Sequence, residues 1–143
     1  METPRGSYEL IMRGNEFLEK RMFQDAILCY DQALAIEPRS EYAWNNKGLT
    51  LDDLGRHEEA IACYDKVIEI NPEYGSAWFN KGWILVTKLG RHEEAIACYD
   101  KAIEINPEQA KTWFNKGRVL EKLGNKKYAK ECYKKAKELE YKG

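Results

Sequence analysis

Hydrophobic and polar residues follow a helical rhythm along this chain, broken at regular points by Gly and Pro. From residue 41 to 74, Trp44, Gly48 and Leu51 stand at i, i+4 and i+7, the spacing of one helical face. Gly55 then suits a left-handed helix stop, where a residue without Cβ is at ease. Beyond it, Ala60, Cys63, Tyr64 and Val67 trace a second face at i, i+3, i+4 and i+7. Glu58 and Glu59 fall in the first turn of that helix, where acidic groups meet the positive end of the helix dipole. Asn71-Pro72 closes it, because the residue before a proline resists the α region. The segment predicts two helices, with Gly and Ala permitting close approach and Trp and Tyr filling the space between.

The same lettering recurs. LGRHEEAIACYDKVIEINPE (Leu54 to Glu73) returns with one letter changed as LGRHEEAIACYDKAIEINPE (Leu89 to Glu108). Trp44, Trp78 and Trp113 each precede a glycine by four residues: Gly48, Gly82 and Gly117. Ala26, Ala60, Ala95 and Ala129 recur at intervals of 34, 35 and 34, and Tyr30, Tyr64, Tyr99 and Tyr133 keep step. Pro38, Pro72 and Pro107 close three of the units. The units are placed at residues 7–40, 41–74, 75–109 and 110–143, with 1–6 as a flexible N-terminal segment. A repeat this short cannot bury its own apolar face, so 7–143 is expected to form a single stacked array.

These residues resemble the tetratricopeptide repeat, a helix-turn-helix of 34 residues. AWNNKG, AWFNKG and TWFNKG match its Trp and Gly positions, and EEAIACYDKVIEINP matches its Ala, aromatic and Pro positions. The resemblance covers almost the whole chain. It implies an all-α fold, a right-handed superhelical solenoid of four repeats and eight helices. Three departures stand out. Lys47, Lys81 and Lys116 replace the usual Leu before Gly, with stems expected to pack and ammonium groups to reach water. The first unit has Leu10 for Trp and Arg21 for the turn glycine. In the third, GWILVTKLG is one residue longer than GLTLDDLG, which implies either a longer turn or a bulge near Val86 to Lys88.

The duplicated stretch also carries His, Cys and Glu, the raw material of a metal or catalytic site. Spacing argues against one. Cys29, Cys63, Cys98 and Cys132 occupy one slot per unit on the Ala/Tyr face, with no Cys-x-x-Cys pair for zinc. Equivalent residues on helices one repeat apart lie about 8–10 Å from each other, beyond the ~7 Å Cα reach of a disulfide. His57 and His92 lack the second His of a His-Glu-x-x-His motif, and their slot holds Phe23 in the first unit, so they read as turn packing. No phosphate loop or nucleophile-base set appears. The chain is expected to be no enzyme and to need no cofactor or metal.

In the family, the concave side is lined by first helices and holds an extended peptide or a partner helix. The slots that the resemblance assigns to it are Tyr8, Ile11, Met12 and Asn15, then Tyr42, Asn45, Asn46 and Leu49. The later units supply Ser76, Phe79, Asn80 and Trp83, then Lys111, Phe114, Asn115 and Arg118. Asn46, Asn80 and Asn115 share one slot, a ladder of amides able to donate to and accept from a peptide backbone. Phe79 and Trp83 are i, i+4, with Phe114 next door, and aromatic residues in a groove are typical anchors. The alternatives are helix-to-helix hydrogen bonding for the amides and packing for the aromatics. Some family members clamp the C-terminal carboxylates of heat-shock chaperones with Lys, Asn and Arg. Asn15 and Asn46 fit that set, but Ile11, Ser76 and Asn80 stand where its basic residues belong.

Charge alters the picture only locally. The net charge is −1 over 143 residues, which gives no general case for nucleic acid. Residues 41–74 hold three Lys/Arg against eight Asp/Glu, whereas 110–143 hold eleven against four. That basic end could draw RNA or an acidic partner. Capping explains it better: the Ile61/Ile68 stripe becomes Ile96/Ile103 and then Lys130/Lys137, as if no repeat follows. No apolar run approaches the ~20 residues of a membrane span, and METPRGSYEL does not read as a secretory signal. Four cysteines without an export signal suggest a reducing cytoplasm. The expected function is a protein-interaction scaffold, monomeric or weakly self-associating, with self-stacking as the rival reading.

Overall fold

The computed structural model describes residues 6–140, and every regular element among them is a helix. The chain groups into two compact units, Met1–Pro72 and Glu73–Gly143, each containing two repeats. The first holds α1 (Ser7–Glu19), α2 (Phe23–Ile36), α3 (Glu41–Asp53) and α4 (His57–Ile70). The second holds α5 (Gly75–Thr87), α6 (His92–Ile105), α7 (Ala110–Lys122) and α8 (Lys126–Glu140). The first helix of each pair starts at residue 7, 41, 75 or 110. The N-terminal segment expected to be flexible lies outside the described residues, except Gly6, whose extended backbone caps α1.

Inside each unit the helices pack in chain order: α1 on α2 on α3 on α4, and α5 on α6 on α7 on α8. The contact within a repeat is set by Gly against Tyr. A Cβ on Gly48 would fall 2.9 Å from Tyr64, and one on Gly117 2.8 Å from Tyr133. Ala26, Ala60, Ala95 and Ala129 are buried beside them, as are Tyr30, Tyr64 and Tyr99. Between repeats, the indole of Trp44 donates to the Pro38 carbonyl (2.9 Å) and that of Trp113 to the Pro107 carbonyl (2.8 Å). The signature Trp therefore stitches its helix to the proline that ended the preceding repeat. The predicted inter-repeat stripe also appears, with Leu34 in one buried cluster with Ala43, and Ile96 packed on the cluster of Leu120, Ala129 and Cys132. Lys130 and Lys137, at the same slots of α8, are exposed.

The turn within a repeat follows one scheme. Gly55 takes φ +80°, its N–H donates to Asp52, and the Arg56 N–H reaches back to the Leu51 carbonyl at 2.8 Å. Arg21 adopts the same left-handed conformation at φ +59° with a β-carbon present. In the third repeat the extra residue enters the turn. α5 has the same 13 residues as α3 and α7, the connector grows to 88–91, and the Arg91 N–H still reaches the Leu85 carbonyl (2.7 Å). Two of the three lysines before the glycines, Lys47 and Lys116, correct the expectation that their ammonium groups reach into water. Lys47 Nζ lies 2.7 Å from Asp31, and Lys116 Nζ 2.5 Å from Asp100, each aspartate on the second helix of the preceding repeat.

Candidate functional site

In the first unit, the Leu10/Gly14 and Trp44/Gly48 faces of α1 and α3 turn to the core. The i+4 periodicity then leaves Tyr8, Met12, Tyr42 and Leu49 outward. Tyr8 is 72% and Tyr42 66% exposed, each near the start of its helix. Two candidates are not on this surface. Ile11 and Asn45 are both 8% exposed, and the Asn45 Oδ1 is buried with no hydrogen-bond partner among the described residues. The slot they share leans over the tyrosine of its own repeat. This shows most clearly in the second unit, where the ring centroids of Phe79 and Tyr99 are 5.7 Å apart, and those of Phe114 and Tyr133 5.4 Å.

The asparagines divide by unit. Asn46 donates to Asn15 Oδ1 at 3.0 Å, and the Tyr30 hydroxyl donates to the same oxygen at 2.6 Å. Two elements of the candidate set are therefore already tied to each other across the repeat junction. The side chains of Asn80 and Asn115 make no hydrogen bond among the described residues, so their amides keep both donor and acceptor capacity.

In these slots the second unit carries fewer exposed large hydrophobic residues but borders a cleft. Phe79 is half-buried, with Tyr99 on one side and Lys111 Nζ 4.6 Å from its ring centroid. That is a cation–π contact which occupies part of a ring expected to be a free anchor. Phe114, in the same slot of the last repeat, is 47% exposed, and Trp83 is 39% exposed. Trp83 borders a cleft of about 230 Å³ formed with Val86, Thr87, Tyr99, Asn115, Arg118, Val119 and Lys122. Val86, Thr87 and Lys122 escaped the sequence reading because they sit a turn beyond the recognised slots. Burial pushes the Tyr99 hydroxyl well above its usual range, with Arg118 opposing the shift. The Tyr133 hydroxyl is raised to about 12 by desolvation and by its 2.6 Å bond to Glu121.

The reactive-looking repeat serves the turn. Arg56 precedes α4 and grips Glu59 with two bonds of 2.9 and 2.5 Å, and Arg91 grips Glu94 in the same way at 2.9 and 2.6 Å. Each holds its glutamate below the usual carboxylate range. His57 Nδ1 meets Asp52 Oδ1 at 2.8 Å. His92 has Val86 and Thr87 where that acid would be, and its Nδ1 is buried without a hydrogen-bond partner among the described residues. The four cysteines are buried thiols, and burial raises Cys63 to about 11. Among the described residues no group of three His, Cys, Asp or Glu side chains is placed to hold a metal ion.

Comparison with known proteins agrees with this geometry. Family models described as tetratricopeptide repeat match residues 41–74, 63–97 and 110–142, and one described as TPR repeat matches 85–124. No curated protein matches the sequence. Among solved structures, a crystal structure of MamA superposes with TM-score 0.91 at 25% identity, over 97% of this chain and 81% of that one. Another crystal structure of the MamA protein gives 0.87 at 25% identity, over 95% and 74%. MamA from Desulfovibrio magneticus RS-1, residue 41 to the end, gives 0.85 at 23% identity, over 95% and 76%, a likeness of fold. With its period, its Gly–Tyr and Trp–Pro contacts and these matches, the chain belongs to the tetratricopeptide repeat family.

Proposed function

We propose that this protein is a non-enzymatic interaction scaffold that holds a peptide or partner helix on the outward faces of its first helices. One observation carries the reading. Of eleven large hydrophobic residues exposed among the described ones, six (Tyr8, Met12, Tyr42, Leu49, Trp83 and Phe114) fall in the slots assigned to recognition. Four of them lie in the first unit and two in the second, and clustered exposed apolar residues mark interaction sites more often than isolated ones do. In the second unit, Asn80, Asn115, Lys111 and Arg118 add polar and cationic groups to the first helices that carry Trp83 and Phe114. The unbroken sequence period supports residues 7–143 acting as one array, and buried thiols suit a reducing cytoplasm. Among the described residues no helix is long and apolar enough to cross a membrane.

Trp83→Ala tests the reading. Partners captured by the wild-type chain from its source lysate should be lost from the variant, while circular dichroism and melting stay close to wild type. Unchanged capture would remove the anchor from the account. Self-association is the second reading, since the exposed apolar side chains could equally meet those of a second copy. Sedimentation velocity over a hundredfold concentration range separates the two, because a self-associating scaffold sediments faster as it is concentrated.

A further inference from the structure

The junction between the first and second repeats and that between the third and fourth are built on the same slots but differ at one point. In the former, Asn15 and Asn46 close on each other and on the Tyr30 hydroxyl. In the latter, Trp83 takes the place of Asn15, Asn115 that of Asn46 and Tyr99 that of Tyr30. No hydrogen bond links them among the described residues, and the cleft of about 230 Å³ lies there instead. This is below the roughly 300–1,000 Å³ of most small-molecule sites, so it suits one side chain and its neighbour on a chain. Trp83, Val86 and Val119 give the cleft an apolar wall, while Arg118 and Lys122 bring two cations and no lining side chain is acidic. Tyr99 lines the cleft, and its hydroxyl, like that of Tyr64, makes no hydrogen bond among the described residues, whereas those of Tyr30 and Tyr133 do.

We infer that this cleft selects peptide segments in which an Asp or Glu carboxylate lies beside a large apolar side chain. The apolar group packs on Trp83 and Val119. The carboxylate accepts from Arg118 and Lys122, with the Tyr99 hydroxyl and the Asn115 amide completing its coordination. Charge-assisted bonds of this kind are the strong ones, and the apolar wall fixes where along the segment the acid must stand. A polyanion is the poorer fit, since the chain as a whole carries net charge −1 and the lysines of α8, Lys130 and Lys137 among them, line no part of the cleft. The inference rests on the interaction-scaffold reading above and adds to it the chemistry of the partner.

The test is selection of a random octapeptide phage library on the full chain, followed by fluorescence polarisation with an enriched peptide. Enriched sequences are expected to place Asp or Glu within two positions of Leu, Ile, Met or Phe. Affinity should fall at least tenfold in Arg118→Gln/Lys122→Gln, and equally when the peptide acid becomes its amide. Changing both sides together should cost little more than either alone, a coupling that a general loss of fold would not produce. Peptides that need Trp83 but ignore Arg118, Lys122 and their own charge would overturn the inference and leave the scaffold reading standing. No enriched peptide would overturn both. Tighter binding of oligouridylate through the same cations would replace the acidic peptide with nucleic acid.

Discussion

Gly48 and Tyr64 are packed so closely that a β-carbon on the glycine would sit 2.9 Å from Cε1 of the ring. Tyr64 is buried and cannot swing aside. Gly48→Ala should therefore strain the α3–α4 contact despite alanine's better helix propensity, destabilising by about 1–3 kcal/mol as overpacked cores do. Urea unfolding followed by circular dichroism measures it. A neutral or stabilising result would show that the two helices can part at no cost.

Arg21 holds the left-handed position that Gly55, Gly90 and Gly124 hold elsewhere. An L-residue there costs about 1–2 kcal/mol. Part of this is returned by the guanidinium, whose carbon lies 5.1 Å from the Phe23 ring centroid. Arg21→Gly should raise stability by about 0.5–1 kcal/mol, seen as a higher melting temperature. A fall would mean that the stacking contact outweighs the backbone strain.

The Trp44 indole bond to the Pro38 carbonyl joins the first repeat to the second. Trp44→Phe keeps an aromatic ring but loses the donor, and should cost about 1 kcal/mol for the hydrogen bond. Native-state hydrogen exchange in α1 and α2 should rise with it. Unchanged exchange would assign the coupling to packing alone.

Burial raises the thiols of Cys29, Cys63 and Cys132, Cys63 to about 11. The unfolded thiol ionises nearer 8.5. The folded state thus favours the protonated form, so its stabilising contribution is whole below about pH 8.5. It is lost as the pH rises towards the folded value. A chain keeping Cys63 alone, with alanine at the other three cysteines, should show thiolate absorbance at 240 nm rising around pH 11, and at lower pH once urea is added. Titration near 8.5 in the folded chain would contradict the burial.

The helical repeats and the Gly–Tyr packing were legible in the sequence because each is written as a period, and a period survives without knowledge of neighbours. Helix stagger is not written that way. Asn15 meets Asn46 although the two occupy different slots, so a ladder drawn slot by slot missed the pair. Asn45 and Ile11 were assigned to the open surface by their place in the motif, whereas the tyrosine beneath that slot draws them inward. Asp31 and Lys47 sit 16 residues apart, as do Asp100 and Lys116. That signal was present and went unread, because lysines on a helix surface suggest solvent before they suggest a partner.

Those aspartate–lysine pairs give the order of the repeats a grammar. Lys134 stands in the fourth repeat where Asp31 and Asp100 stand in theirs, and Arg13 stands in the first where Lys47 and Lys116 follow. A duplicate of the second repeat spliced in after residue 109 would meet an acid with its lysine. Spliced in behind the fourth, the same duplicate would face cation with cation. The modules are thus not freely shuffled beads, since each junction accepts some neighbours and refuses others.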